Sequence, residues 1–272
     1  MFPPAVSAVH LVTLRSRLLR QGVWVYRVGP WLIDTGPAHA RRQLLGWSGS
    51  AEADGCLISH GDEDHVGNAG ALQRRGIVLR APPEVLAELN WTPRLPLYRR
   101  WAWGTPEAAD VLPLHGPVDR DGWRLVPIHT PGHSADHFVY HEPERALVFS
   151  ADLYVAARVP VARPRENVGR LIDSLRRVRE LEPEMLFCAH RGPIDDPAAR
   201  LTAKLDWLEE LVGRARELAG RGWETRRIAR RLLGREGVIT WVTGGEYSKA
   251  NLIEAALADS GSNGPGTDID TI

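Results

Sequence analysis

Two cysteines, Cys56 and Cys188, are too few for a chain of 272 residues to be held by a disulfide framework. Both lie in apolar runs that end at a histidine, which reads as buried strand cysteine rather than metal ligation or redox chemistry. Charge of one sign is lacking as well. The 34 basic residues are balanced by 34 acidic ones, so no whole-chain attraction to nucleic acid or an anionic membrane is expected. Lysine is scarce, Lys204 and Lys249 being the only two, and the positive charge is carried by arginine, which we read as compositional bias. No window approaches the ~20 apolar residues that a membrane-spanning helix needs. Met1 to Arg20 carries scattered charges and no signal-type apolar core, so the expected location is cytoplasmic.

What is present is a sizeable apolar fraction, 43%, enough for one large α/β domain. Strand-like runs are Ala8 to Leu14, Val23 to Val28, Trp31 to Ile33, Gly55 to Ser59, Ile77 to Leu79, Trp123 to Ile128, His137 to Tyr140, Ala146 to Phe149 and Met185 to Cys188. Helical spacing is expected near Ala40 to Leu45, Asn68 to Arg75, Pro82 to Leu89 and Glu166 to Leu181. Trp91 to Thr105 mixes Trp91, Tyr98, Trp101 and Trp103 with arginines and prolines, has no clean period, and reads as an inserted loop or broken helix. From Pro197 the chain turns helical and charged, with helices through Leu211, from Glu224 to Leu233, and from Ser248 to Leu257. The expected organisation is a catalytic domain over 1–196, a helical extension over 197–258 and a disordered tail over 259–272.

Four segments share one design, an apolar strand followed at once by ligand-type residues. They are His60-x-Asp62-x-Asp64-His65, His129-Thr130-Pro131-Gly132-His133, Ser150-Ala151-Asp152 and Ala189-His190. Loops at strand ends let a rigid sheet aim several side chains at one point. Histidine and carboxylate are the usual ligands of Zn²⁺, Fe²⁺ and Mn²⁺. A lone histidine at a strand end is more often structural; four such segments in series are not.

Their order and spacing resemble the metallo-β-lactamase superfamily over roughly residues 8 to 195, the Asp34-Thr35-Gly36 turn included. The resemblance implies an αββα sandwich with two divalent metal ions, zinc, manganese or iron, at one edge. Carried over by motif, His60, Asp62 and His133 would hold the first ion. Asp64, His65 and His190 would hold the second, with Asp152 bridging. His129 matches a non-ligand position, and His137 is expected to support a ligand.

One position departs from the superfamily's His-x-His-x-Asp-His motif, because Asp62 stands where the second histidine is usual. A carboxylate there is similar to flavodiiron proteins, which use Glu, and to the nuclease-like domain of some DNA-uptake channel proteins, which use Asp. An added carboxylate lowers the net charge of a two-ion site, weakens its Lewis acidity and favours harder ions such as Mn²⁺ or Fe²⁺. The implied chemistry is hydrolysis by a hydroxide held at the ions and oriented by Asp64. Tyr154 is expected to aim a phenol at the developing oxyanion; for His39, just past the Asp34 turn, lining the cleft is the lesser of two readings.

The leading expectation is a small-molecule substrate of ester type: thioester, lactone, carboxylic ester or β-lactam. The alternative is nucleic-acid phosphodiester hydrolysis, favoured by Asp62 and by Arg226, Arg227, Arg230 and Arg231 on one helix, and disfavoured by the zero net charge. Diiron oxygen chemistry and a non-catalytic metal module rank lower. A homodimer stays open, with the Trp91–Trp103 segment able to serve as lid, core cover or interface.

Overall fold

Alternation along each strand divides its side chains between two different cores, and this is what stacks the molecule into layers. In Trp31-Leu32-Ile33, Trp31 and Ile33 join one buried cluster while Leu32 joins another; in Leu147-Val148-Phe149, Val148 is likewise parted from its neighbours. The computed structural model describes residues 6–18 and 21–258, so the tail expected to be disordered lies outside the described residues.

The first sheet is formed in sequence order by β1 (Val6–Leu11), β2 (Val23–Val28), β3 (Trp31–Ile33), β4 (Gly55–Leu57), β5 (Val78–Ala81) and β6 (Val111–Pro113). Its first pairings are antiparallel, and β3 to β6 run parallel. The second sheet holds β7 (Val118–Arg120), β8 (Trp123–His129), β9 (Phe138–Glu142), β10 (Leu147–Ala151), β11 (Met185–Cys188) and β12 (Gly192–Ile194), again in sequence order. Within it only β10 and β11 are parallel.

Helices α1 (Leu14–Leu18), α2 (Arg41–Gly46), α3 (Ser48–Ala51), α4 (Glu63–Val66), α5 (Ala69–Gln73), α6 (Pro83–Glu88) and α7 (Leu97–Trp103) accompany the first half. Helices α8 (Val168–Arg179), α9 (Pro197–Gly220), α10 (Thr225–Leu233), α11 (Val238–Val242) and α12 (Lys249–Leu257) accompany the second. Tyr26, Trp31, Leu57, Tyr140, Phe149 and Phe187 fill the space between the sheets. Leu44, Leu72, Leu79 and Val85 pack outside the first sheet, and Leu175, Leu205, Ile228 and Ile253 outside the second. The result is the expected αββα sandwich. Each large aromatic in the central layer contributes roughly 1.5–3 kcal/mol by burial.

Two buried tyrosines tie the layers together near the strand ends. Tyr26 donates its hydroxyl to the Cys188 carbonyl (2.7 Å) and Tyr140 donates to that of Ile58 (2.7 Å). Cys56 and Cys188 are free and buried, as strand residues. The residues beyond Pro197 share one core with the second sheet: Leu201, Leu205, Leu252 and Ile253 pack with Val148 and Leu186. Among the described residues no helix is long and apolar enough to cross a membrane.

Of the two readings of the Trp91–Thr105 segment, an inserted loop or a broken helix, the structure has the second. Prolines hide a short helix, α7, which begins directly after Pro96 and stops at Gly104, where φ is +88°. The three-residue strands β6, β7 and β12 also went unpredicted, being too short to show a period.

Candidate metal centre

The loop after β3 sets the floor of the site. Asp34 takes a left-handed conformation (φ 63°), which Asp tolerates better than most residues, and its carboxylate turns back under the next strand. It accepts from the Ser59 backbone N–H (2.8 Å) and hydroxyl (2.8 Å), and its Oδ2 lies 2.8 Å from His65 Nδ1. A proton on that nitrogen donates to Asp34 and leaves Nε2 of His65 free to face inward. Asn68 fixes the same loop by donating to the carbonyls of Thr35 (2.8 Å) and Pro37 (2.9 Å).

The other donors arrive from three further strand ends. His60 follows β4, with Nδ1 against the Ser59 hydroxyl at 2.9 Å. His133 sits on the loop after β8, where Gly132 (φ 139°) is obligatory because a Cβ there would stand 2.5 Å from the Leu171 backbone. Asp152 follows β10, whose register with β11 breaks between Phe149 and Ala151 as Ala151 adopts φ 42°. His190 follows β11, with Nδ1 3.0 Å from the Gly22 carbonyl, so its Nε2 also points inward.

These side chains converge as expected. Three overlapping groups have ligand atoms within 4.8 Å of one another: His60, His65 and Asp152; His60, Asp62 and His133; Asp64, His65 and His190. Asp152 stands at the centre, 3.4 Å from His65 Nε2, 3.4 Å from His133 Nε2 and 3.3 Å from His190 Nε2. His60 Nε2, His65 Nε2 and Asp152 Oδ1 are buried without a hydrogen-bond partner, an arrangement that is costly unless a cation satisfies them. The donor set, imidazole and carboxylate, fits a divalent ion.

Electrostatics hold the Asp152 carboxylate in its charged form. Burial would raise Asp152, but the charges of His190 and His65 outweigh it and hold the carboxyl well below its usual range. Burial works against charge on His190, yet Asp152 raises its pKa to about 9. His137 takes the supporting place expected: its Nε2 accepts the backbone N–H of Asp152 (3.1 Å) while Nδ1 meets the Thr130 hydroxyl (2.8 Å). Burial and the neighbouring His60 and His133 keep it neutral.

Asp62 requires a correction to the charge argument. It does not simply add a negative charge, because two arginines flank it. Arg163 donates to its Oδ2 (2.8 Å) and Arg99 to its Oδ1 (3.3 Å). Burial would raise the Asp62 carboxyl; Arg163, then His133, His60 and Arg99, hold it well below the carboxylate range instead. Arg163 Nη2 also lies 2.9 Å from His133 Nε2, so a cation on that nitrogen requires the guanidinium to swing aside. Arg99 is itself clamped in a bidentate pair with buried Glu63 (2.6 Å for both bonds) and reaches Glu246 near α12 (3.2 Å). Asp62 therefore brings its own counter-ions, and the reduction in Lewis acidity expected from it is offset.

Tyr154 requires another. The chain turns inward after Asp152, so Tyr154 is 4% exposed, packs in the core with Leu153 and Val148, and is not among the residues lining the cavity beside the metal ligands. Tyr247, just before α12, does line it. His39 binds Arg15 (2.9 Å) and the Arg100 carbonyl (3.2 Å) and does not reach the cavity. His129 caps the Ala135 carbonyl (2.8 Å), consistent with a non-ligand.

The cavity has a volume of about 250 Å³. Asp62, Asp64, His133, Asp152 and His190 form one side; Val161, Leu171, Trp207 and Leu208 form an apolar one; Tyr98, Arg99 and Trp103 of α7 form a third. The Trp91–Trp103 segment thus supplies a wall through Trp103, while Trp101 is 42% exposed and faces Arg15 at 5.9 Å. Trp103→Ala is expected to raise KM about threefold to tenfold with little change in kcat, because contacts remote from the reacting bond act in ground and transition states alike. Trp101→Ala should leave KM within about twofold, a surface change. Steady-state kinetics on both variants distinguishes a cavity wall from a cover in which the two tryptophans behave alike.

The profile of the metallo-beta-lactamase superfamily matches residues 29–190, more than half of the chain, a span within which the seven candidate ligands fall. The chain belongs to that superfamily. It is 26% identical over 225 residues to the beta-lactamase-like protein 2 homolog of Drosophila melanogaster, covering 73% of this chain and 70% of that one. It is 24% identical over 169 residues to the probable metallo-hydrolase YybB of Bacillus subtilis (strain 168), covering 59% and 74%. The fold is shared with a beta-lactamase domain protein from Burkholderia ambifaria, with a TM-score of 0.70 at 16% identity over 94% of this chain and 86% of that one. In this superfamily member the strand-end histidines and carboxylates occupy one edge of the sandwich, where the second sheet's outer helices close over them.

Proposed function

We propose that this metal-dependent hydrolase acts on a small ester-type substrate, a thioester, lactone, carboxylic ester or β-lactam, through two divalent ions. His60, Asp62 and His133 would hold one and Asp64, His65 and His190 the other, with Asp152 shared. When bound, such ions supply Lewis acidity and acidify water, roles that zinc, manganese or iron can all fill. The observation that carries the reading is the shape and lining of the cavity. It is small and mostly apolar, and it opens directly on the ligand cluster. That geometry suits a compact substrate whose body is desolvated while its carbonyl meets the ligands.

The residues of the chain have separable tasks in this scheme. Asp34 and the Gly22 carbonyl orient His65 and His190 so that the correct ring nitrogen faces the cavity. Asp64, buried and 3.6 Å from His190 Nε2, is placed to accept a proton from the attacking water. Trp103, Leu171 and Leu208 exclude bulk water from the substrate's body. Metal analysis of the purified protein, followed by a panel of ester, lactone, β-lactam and phosphodiester substrates, tests the reading; turnover confined to the phosphodiesters would overturn it.

Against a nuclease, the four arginines of α10 stand away from the site. Arg226, Arg227, Arg230 and Arg231 are exposed and none lines the cavity, and Arg227 stacks 3.8 Å over Trp223. Replacing all four with Gln is expected to change kcat/KM on a small ester by less than about threefold. A parent protein that cleaves single-stranded nucleic acid with a steep salt dependence, lost in the fourfold variant, would reverse this conclusion.

A further inference from the structure

Lys204 is in an unusual place for one of the chain's two lysines. It lies on α9, is 4% exposed, and lines the same cavity as the metal ligands. Among the described residues it has neither a hydrogen bond nor an ion pair; its Nζ sits 5.6 Å from the centre of the Tyr154 ring. Glu166, on the cavity wall, faces it from the loop before α8 and Asp152 from the loop after β10, both beyond ion-pair distance, and Cys188 of β11 is a buried neutral thiol. Leu171, Trp207, Leu208 and Leu252 contribute apolar side chains to the same cavity. Burial lowers its pKa to about 8, with Cys188, Glu166 and Asp152 offsetting only part, so the ammonium stays charged at neutral pH without a partner.

A buried cation in an apolar wall is costly unless an anion meets it. Among the described residues no carboxylate stands within ion-pair distance of it, and it lines the cavity. We propose that Lys204 is a specificity residue that pairs with a carboxylate on the substrate, so that the preferred substrates are esters or thioesters with an apolar body ending in a monoanionic carboxylate. This rests on the ester reading above. One ammonium, with Glu166 and Asp152 nearby, matches one negative charge and disfavours a phosphate dianion. The mostly apolar lining of the cavity, with Leu171, Trp207, Leu208 and Leu252, suits the hydrocarbon that would join the carboxylate to the scissile carbonyl.

The test compares metal-loaded parent, Lys204→Met and Lys204→Arg on thioesters of one chain length ending in carboxylate, carboxamide, methyl or phosphonate. For the parent, kcat/KM is expected to be about tenfold or more higher for the carboxylate than for the methyl and carboxamide forms, as a hydrogen bond between charged groups would give. Lys204→Met is expected to bring that ratio close to one, and Lys204→Arg to restore part of it. A ratio that survives in Lys204→Met, or a parent that prefers the phosphonate, overturns the proposal.

A binding measurement is independent of turnover. Octanoate, set against octanol, is expected to raise the melting temperature of the loaded parent and not of Lys204→Met. Equal stabilisation of both proteins would place the carboxylate on the ions and sink the proposal. If no thioester is turned over while octanoate still discriminates parent from variant, the ester reading fails and the Lys204 carboxylate site stands.

Discussion

Asp152→Ala is expected to lower kcat/KM by on the order of a thousandfold or more, and to leave the purified protein with less bound metal than the parent. Partners that merely orient a ligand typically account for about ten- to a hundredfold, and Asp152 is better placed than any of them. Its two oxygens lie within 3.4 Å of the inward nitrogens of three histidines that come from three separate segments, α4 and the loops after β8 and β11. Removing it would part the two candidate ion sites and leave His65 and His190 facing each other without the carboxylate that raises the pKa of both. The measurement is kinetics with metal content determined in parallel, and melting in chelator to confirm that the variant folds. Activity retained within tenfold would mean that Asp152 is a structural carboxylate and that the assignment of the centre is wrong.

The candidate ligands stand out in the sequence because those after β4, β10 and β11 follow strands buried on both faces, and such runs declare themselves without any partner. Met185–Cys188 was read to the residue, since Leu186 and Phe187 are needed on opposite faces of the sheet. Helix α8 was placed within two residues at either end. Its start is fixed by Asn167, whose side chain accepts the Arg170 backbone N–H at 2.9 Å.

What surrounds the ligands was not legible, and the reason is physical. Arg163 lies in a proline-rich stretch with no periodicity, 101 residues from the Asp62 it neutralises. Lys204 belongs to a stretch that reads as a charged helix and Tyr247 stands just before another helix, and they become cavity residues only when the outer helical layer closes over the second sheet. Tyr154 was misplaced for the converse reason. Two residues beyond a ligand is close in sequence, but the register break at Ala151 turns the following chain into the core. Local pattern identifies what a strand end presents to the site; it does not say which distant side chains will stand opposite.

Lys204→Met is expected to stabilise the protein at pH 7 by about 3 kcal/mol, and the gain is expected to vanish as pH rises. The buried ammonium has a pKa of about 8, against ~10.4 when unfolded, where water surrounds it. Below about pH 8 the lysine is protonated in both states, and the folded state bears the full desolvation cost, about 1.4 kcal/mol for every tenfold weakening of proton binding. Between about pH 8 and 10.4 the folded protein releases the proton while the unfolded chain keeps it. The unfolded state then binds more protons, so the parent's stability climbs with pH relative to the variant. Above that window both states are neutral and the cost is gone. Methionine fills nearly the same volume without charge, and every other titrating group is common to both proteins, so the pH dependence of the difference isolates Lys204. Urea unfolding of parent and variant at pH 7 and near pH 10, at equal metal saturation, is the measurement. At neutral pH the gain corresponds to roughly 5–10 °C in melting temperature for a chain of this size. A difference that is flat with pH would mean that the ammonium is solvated through the cavity. A stabilising variant that also loses the carboxylate preference would show a residue kept for binding at the expense of stability, as functional sites commonly are.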